Sequence, residues 1–172
     1  MKKTISLLIA AIFTVSVSVS SAQDDPSTLT KVGDKVPQFT CKTIDGKTVD
    51  ISKLQGKIVM INFFATWCGP CMLELPVLQK NIWDKYKNRS DFELIILGRE
   101  HNETEVSNFV KTKSFTMPFA PDPERKIFSL FATQSIPRNV IVGKDGKIIF
   151  QSIGFTPEEF KGIEALLAEN LK

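Results

Sequence analysis

Ile58-Val59-Met60-Ile61-Asn62-Phe63-Phe64-Ala65-Thr66-Trp67-Cys68-Gly69-Pro70-Cys71 joins a mainly apolar run to two cysteines separated by two residues. The run does not alternate with polar residues, which suits a strand buried on both faces. Beyond it, Leu73, Val77, Leu78 and Ile82 recur at helical spacing and predict an apolar helix face from about Gly69 to Tyr86. Pro70 is tolerated in the first turn, whereas Pro76 lies inside the helix and predicts a kink. The dithiol therefore falls where a strand hands over to a helix. A cysteine there meets unpaired backbone N–H groups and the positive end of the helix dipole, and both favour thiolate over thiol. The thiolate is the nucleophile of disulfide exchange, and Cys71 is close enough in sequence to close a small ring with Cys68.

Working outward, Phe92–Gly98 is a second continuous apolar run. Two such strands around a helix predict a parallel pair with a right-handed crossover. Upstream, Phe39–Lys42 and Thr48–Ile51 flank Ile44-Asp45-Gly46-Lys47, a hairpin pattern built on Asp-Gly. Downstream, Asn102 with Glu105 reads as a capping box that opens a helix to about Lys113. Asp122-Pro123-Glu124 predicts another helix start, with Ile127, Leu130 and Phe131 as its apolar face. Asn139–Val142 and Lys147–Ile153 form a second hairpin pattern around Gly143–Gly146, and Thr156-Pro157-Glu158-Glu159 opens a last helix that ends near Leu171. The order is hairpin, β, α, β, α, α, hairpin, α. It predicts an α/β domain over residues 34–172, a mixed sheet with helices on both faces.

The first 33 residues read differently. Lys2 and Lys3 precede an apolar stretch from Ile5, and Ser20-Ser21-Ala22 offers small residues for cleavage. Residues 1–22 thus read as a signal peptide, which places the rest outside the cytoplasm, where disulfides persist. An uncleaved anchor is the alternative, although the stretch falls short of the roughly 20 apolar residues of a spanning helix. No cysteine follows it to carry a lipid. Residues 23–33 are polar and are expected to be a flexible lead-in. Residues 1–22 hold two lysines and no acid, so the formal charge of +3 falls to +1 without them. That balance gives no reason to propose nucleic acid as a partner.

With these residues in view, the chain resembles the extracytoplasmic TlpA/ResA-like thiol-disulfide oxidoreductases, which have a thioredoxin fold with an added N-terminal β-hairpin and a helical insertion. The resemblance spans roughly residues 31–170. It rests on Asn62-Phe63-Phe64-Ala65-Thr66 leading into Trp67-Cys68-Gly69-Pro70-Cys71, on Pro76, and on Ile136-Pro137 before the second hairpin. The resemblance implies that Ile136–Pro137 is a cis bond facing the active site, and that Trp67, Gly69, Pro70, Ile136 and Pro137 border the substrate groove. It also implies Cys68 as the attacking thiol and Cys71 as the resolving one. Cytoplasmic thioredoxin has a buried Asp where this chain has Asn62. The TlpA/ResA-like branch has Asn there and a Glu three residues after the second cysteine, the position of Glu74. Residues three apart share a helix face, so Glu74 is expected to exchange a proton with Cys71. Arg138 departs from the small residue the family usually has after the cis-proline, and bears on substrate preference.

Other readings of the same residues stand beside this one. Cys68 and Cys71 could form a structural bridge, or bind zinc with Cys41 and His101 at spacings that do not favour it. Trp67 could pack beside the motif or dock a partner. Cys41, on the first hairpin, reads as a half-buried structural thiol. His101 follows the second apolar strand, whose carboxyl end lies on the edge that carries Cys68, so the Arg99-Glu100-His101 loop is expected to border the site. Gly-Pro between the cysteines, without histidine, leans towards a reductant of protein disulfides. In an oxidising compartment such an enzyme implies a membrane electron donor, but no cofactor and no metal. A peroxiredoxin-type peroxidase requires a Pro-x-x-x-Thr-x-x-Cys loop, which Ala65-Thr66-Trp67-Cys68 does not match. A non-catalytic binding module on the same fold would keep its function in Cys68→Ser.

Overall fold

The computed structural model describes residues 25–172. The expected signal peptide and the first two residues of the lead-in lie outside the described residues. A two-stranded antiparallel hairpin, β1 (Thr40–Lys42) and β2 (Thr48–Asp50), precedes the main sheet. The sheet contains β3 (Ile58–Phe64), β4 (Phe92–Arg99), β5 (Phe119–Asp122), β6 (Arg138–Val142) and β7 (Ile148–Ile153). Their order is β5-β4-β3-β6-β7, with β3, β4 and β5 parallel and β6 and β7 antiparallel to their neighbours. The parallel pair, both hairpins and the mixed sheet stand as the sequence predicts.

β3 is central and wholly buried, which explains its lack of alternation. Ile58, Met60 and Phe64 face one core; Val59, Ile61 and Phe63 face the other. Each such side chain contributes about 1.5–3 kcal/mol by leaving water. The first core is covered by α1 (Gly69–Leu78), α3 (Glu103–Lys113) and α4 (Pro157–Asn170). The second is closed by the hairpin, by Val36 and by single 3-10 turns at Ile51–Lys53 and Phe128–Leu130. Among the described residues the long helices thus cover one face, and the hairpin and 3-10 turns stand on the other, where helices were also expected.

Four local expectations need correction. The helix after the dithiol spans Gly69–Tyr86 as expected, but not with uniform α winding: α1 passes into a π-helical turn at Gln79–Trp83 and a last short piece, α2 (Asp84–Tyr86). Pro76 has no N–H for the helix ladder, and the change of winding falls just after it. Leu73 is 66% exposed, because the buried face runs instead through Cys71, Glu74, Leu75, Leu78 and Ile82. No α-helix starts at Asp122. That residue ends β5, and its carboxylate accepts from the backbone N–H groups of Ile127 and Phe128. It is not an N-cap, which for the 3-10 turn Phe128–Leu130 is Ile127; its carboxylate reaches the turn from five residues upstream. Finally, residues 25–33 are held against the domain. Leu29 N–H donates to Phe131 O at 2.8 Å, Thr28 forms a β-bridge with Ala132, and Gln151 Nε2 donates to Thr30 O at 2.9 Å.

Candidate active site

The carboxyl ends of β3 and β4 lie side by side, with Phe64 opposite Gly98 in the register. The chain leaves β3 through Ala65-Thr66-Trp67 and enters α1 at Cys68, its N-cap. Cys68 and Cys71 are joined in a disulfide. The Sγ of Cys68 also accepts from Cys71 N–H at 3.2 Å, so the first sulfur faces the unpaired donors of the helix start, as the motif predicts. Cys71 is fully buried and Cys68 is 5% exposed. Around them Trp67, Gly69 and Pro70 are exposed.

The Ile136–Pro137 bond is cis. Ile136 O lies 3.7 Å from Cys68 Sγ, which puts this loop directly beside the first sulfur. Ile136 is half-buried and Pro137 buried. Arg138 does not enter this space. It is buried on the other side of β6, where its guanidinium reaches Ser27, Thr28 and the carbonyls of Gln134 and Ser135.

Glu74 is buried one helical turn after Cys71, on the same face. Among the described residues no cation accompanies it. Asn139 Nδ2 donates to its Oε1 at 2.6 Å and Asn62 Nδ2 to its Oε2 at 2.8 Å. Asn62 Nδ2 also lies 2.8 Å from Asn139 Oδ1, so the three side chains form one closed cluster. Burial pushes the Glu74 carboxyl up to about 7, while the two amide donors pull the other way. The result is a buried acid able to change charge near neutral pH.

Asn139 is the residue that reading the sequence missed. It stands directly opposite Asn62 across β3 and β6, a relationship fixed by register. The available signal was a lone amide at the head of the apolar run Val140-Ile141-Val142.

His101 does reach the site, as its position after β4 suggests. Its Nε2 accepts from Thr66 N–H at 2.8 Å, two residues before Cys68. An accepting Nε2 places the proton on Nδ1, which is buried and 3.7 Å from Glu105 Oε2. The chain can turn this tightly because of Gly98: a Cβ there would stand 2.9 Å from Val106 and 3.3 Å from His101. Arg99 lies with its guanidinium carbon 5.8 Å from the Trp67 ring centroid. Cys41 does not join this group. It is buried in the second core, across the sheet from Cys68, where burial pushes its thiol up to about 11, with Asp122 and Glu93 adding to the effect. The zinc set of Cys41, Cys68, Cys71 and His101 is therefore not assembled.

A family model described as Redoxin matches residues 31–167. The chain belongs to the redoxin family. Within it, the sequence is 34% identical over 133 residues to the thiol-disulfide oxidoreductase ResA of Bacillus cereus, covering 77% of this chain and 76% of that protein. It is 27% identical to ResA of Bacillus subtilis over 117 residues, covering 68% of this chain and 64% of that one. Among solved structures, a Bacteroides thetaiotaomicron protein described provisionally as a disulfide isomerase superposes with a TM-score of 0.81 at 37% identity, over 84% of this chain and 92% of its own. StoA of Bacillus subtilis superposes with a TM-score of 0.62 at 26% identity, over 74% and 96%. This redoxin-family chain is thus a thioredoxin-fold thiol-disulfide oxidoreductase of the TlpA/ResA-like kind.

Proposed function

We propose that the protein is an exported reductant of protein disulfides. The observation that carries this reading is the Cys68–Cys71 bond at the start of α1, with buried Glu74 one turn further on. In the reduced protein, the Cys68 thiolate attacks one sulfur of a substrate disulfide. The substrate S–S bond breaks, a mixed disulfide forms on Cys68, and one substrate thiolate leaves. Cys71 then gives its proton to the Glu74 carboxylate, and its thiolate attacks Cys68 Sγ. The second substrate thiol is released, and Cys68–Cys71 closes. Two electrons pass from the protein to the substrate, and the disulfide-bonded form described above is the product state.

Exposed Trp67 and Leu73, at 61% and 66%, flank the dithiol and supply an apolar docking face for the substrate chain. Pro137 and Ile136 form its opposite wall. The leader read at residues 1–22 supports export, and among the described residues no helix is long and apolar enough to cross a membrane. Each turnover leaves the pair oxidised, so the cycle needs an electron donor that spans the membrane.

The test is an equilibrium titration of the Cys68/Cys71 pair against glutathione, together with single-turnover reduction of insulin. A reductant has a potential close to thioredoxin's, about −270 mV. A potential near that of the strong oxidants, about −120 mV, reverses the proposed direction.

A further inference from the structure

Arg138 is 2% exposed, and among the described residues its guanidinium has no carboxylate closer than Asp25 Oδ1 at 3.9 Å. A buried cation without a tight ion pair needs its donors satisfied in another way. Here Nε donates to Gln134 O and Ser135 O, each at 3.1 Å. Nη1 donates to Thr28 Oγ1 at 2.8 Å and Nη2 to Ser27 Oγ at 2.6 Å. One side chain therefore holds two separate pieces of chain. The first is the loop that runs directly into Ile136 and Pro137, and Ile136 O is 3.7 Å from Cys68 Sγ. The second is the segment before the hairpin, fixed independently by Thr133 N–H on Ser27 O at 2.8 Å and by Gln151 on Thr30.

We propose that Arg138 is a positioning residue for the substrate groove, and that the segment Asp25–Thr30 completes the groove through it. The guanidinium fork fixes Gln134 and Ser135 relative to the domain, and Ser27 and Thr28 fix the guanidinium. A peptide chain laid along Ile136–Pro137 then meets a wall already in place and has less chain to order on binding. A small disulfide that touches only Cys68 does not use this wall. Lysine cannot replace arginine here, because a single ammonium lacks the planar fork that reaches both pieces of chain.

This inference rests on the reading of the protein as a reductant of protein disulfides. The test compares insulin with 5,5′-dithiobis(2-nitrobenzoate) as substrates of the reduced protein. The variants are Arg138→Lys, Ser27→Ala/Thr28→Val and Thr28→Ser. The ratio of insulin to small-disulfide kcat/KM should fall about five-fold, through KM, in the first two, roughly 1 kcal/mol of lost groove ordering. Thr28→Ser, which keeps the hydroxyl, should retain the wild-type ratio. If Arg138→Lys does not fold, the Ser27/Thr28 double variant decides the matter alone. Equal losses on both substrates, or an unchanged insulin KM in folded variants of an active wild type, overturn this inference while leaving the reductant reading intact. A wild type that reduces the small disulfide but not insulin overturns that reading, and this one with it.

Discussion

Asn139 Nδ2 donates to Glu74 Oε1 at 2.6 Å, from the strand position directly opposite Asn62. The contact joins a buried carboxyl to a neutral donor rather than to a cation. It favours the charged form without neutralising it, so Glu74 stays responsive to pH instead of being locked as an ion. Replacing Asn139 with leucine removes the donor and keeps the volume. A hydrogen bond to a charged group contributes about 1.5–3 kcal/mol, so the Glu74 midpoint should rise by about one to two pH units in Asn139→Leu. Side-chain carboxyl NMR of the oxidised protein measures this directly. A midpoint that stays in place or falls would show that Asn139 does not govern the charge of Glu74.

The same carboxyl links stability to pH. Its folded value of about 7 lies above the ordinary 4.5, so the folded state holds the proton more tightly than the unfolded chain. The stability this adds is complete below pH 4.5 and declines as pH rises to about 7, then changes no further. The full effect is about 3 kcal/mol at most. Glu74→Gln cannot titrate, so the difference in unfolding free energy between wild type and variant should shift by that order between pH 4.5 and 7, with the wild type losing ground. Urea unfolding at several pH values follows it. A pH-independent difference contradicts the assignment of the raised carboxyl.

Cys41 should be chemically silent. With its thiol pushed up to about 11 and its side chain buried, the reactive thiolate is scarce and out of reach. At pH 8, iodoacetamide should modify Cys68 in the reduced protein and leave Cys41 untouched until urea is added. Peptide mapping by mass spectrometry reads both sites. Modification of folded Cys41 at a rate comparable to Cys68 would contradict its place in the core.

Asp122 should matter to stability and not to exchange. Its carboxylate satisfies the buried N–H groups of Ile127 and Phe128 on the face away from the dithiol. Asp122→Ala leaves both donors without a partner, at a cost of about 1–3 kcal/mol. Chemical denaturation should report that loss, while the reaction of the reduced protein with a small disulfide keeps its rate. An Asp122→Ala protein of wild-type stability excludes that role.

Local pattern carried much of this fold, and distant pairing carried the rest. The capping box of Asn102 and Glu105 is present as read, because both partners lie within one helical turn. The parallel β3–β4 pair was legible from two mainly apolar runs around a helix. Asp122-Pro123-Glu124 misled because it has the residue types of a helix start, whereas the pairing of Asp122 with Arg99 in β5 and β4 keeps Asp122 in the sheet. Leu73 misled because helical spacing admits more than one face, and the buried one runs through Cys71, Leu75 and Leu78 and includes Glu74, a residue that polarity alone would place outside. At the site, Cys68, Cys71 and Glu74 are close in sequence and could be read together. Asn139 is 65 residues from Glu74, and no spacing rule connects them. The interior placement of Arg138 was equally hidden, since its partners lie 110 and 111 residues away at Thr28 and Ser27.

In the proposed reaction Cys68 forms the mixed disulfide and Cys71 resolves it. The direct measurement is trapping with the Cys71→Ser protein, reduced, exposed to insulin, and analysed by mass spectrometry of the peptides. A persistent disulfide between Cys68 and an insulin cysteine is the predicted result, with none formed by Cys68→Ser. A mixed disulfide at Cys41, or equal trapping by both serine variants, would contradict the account.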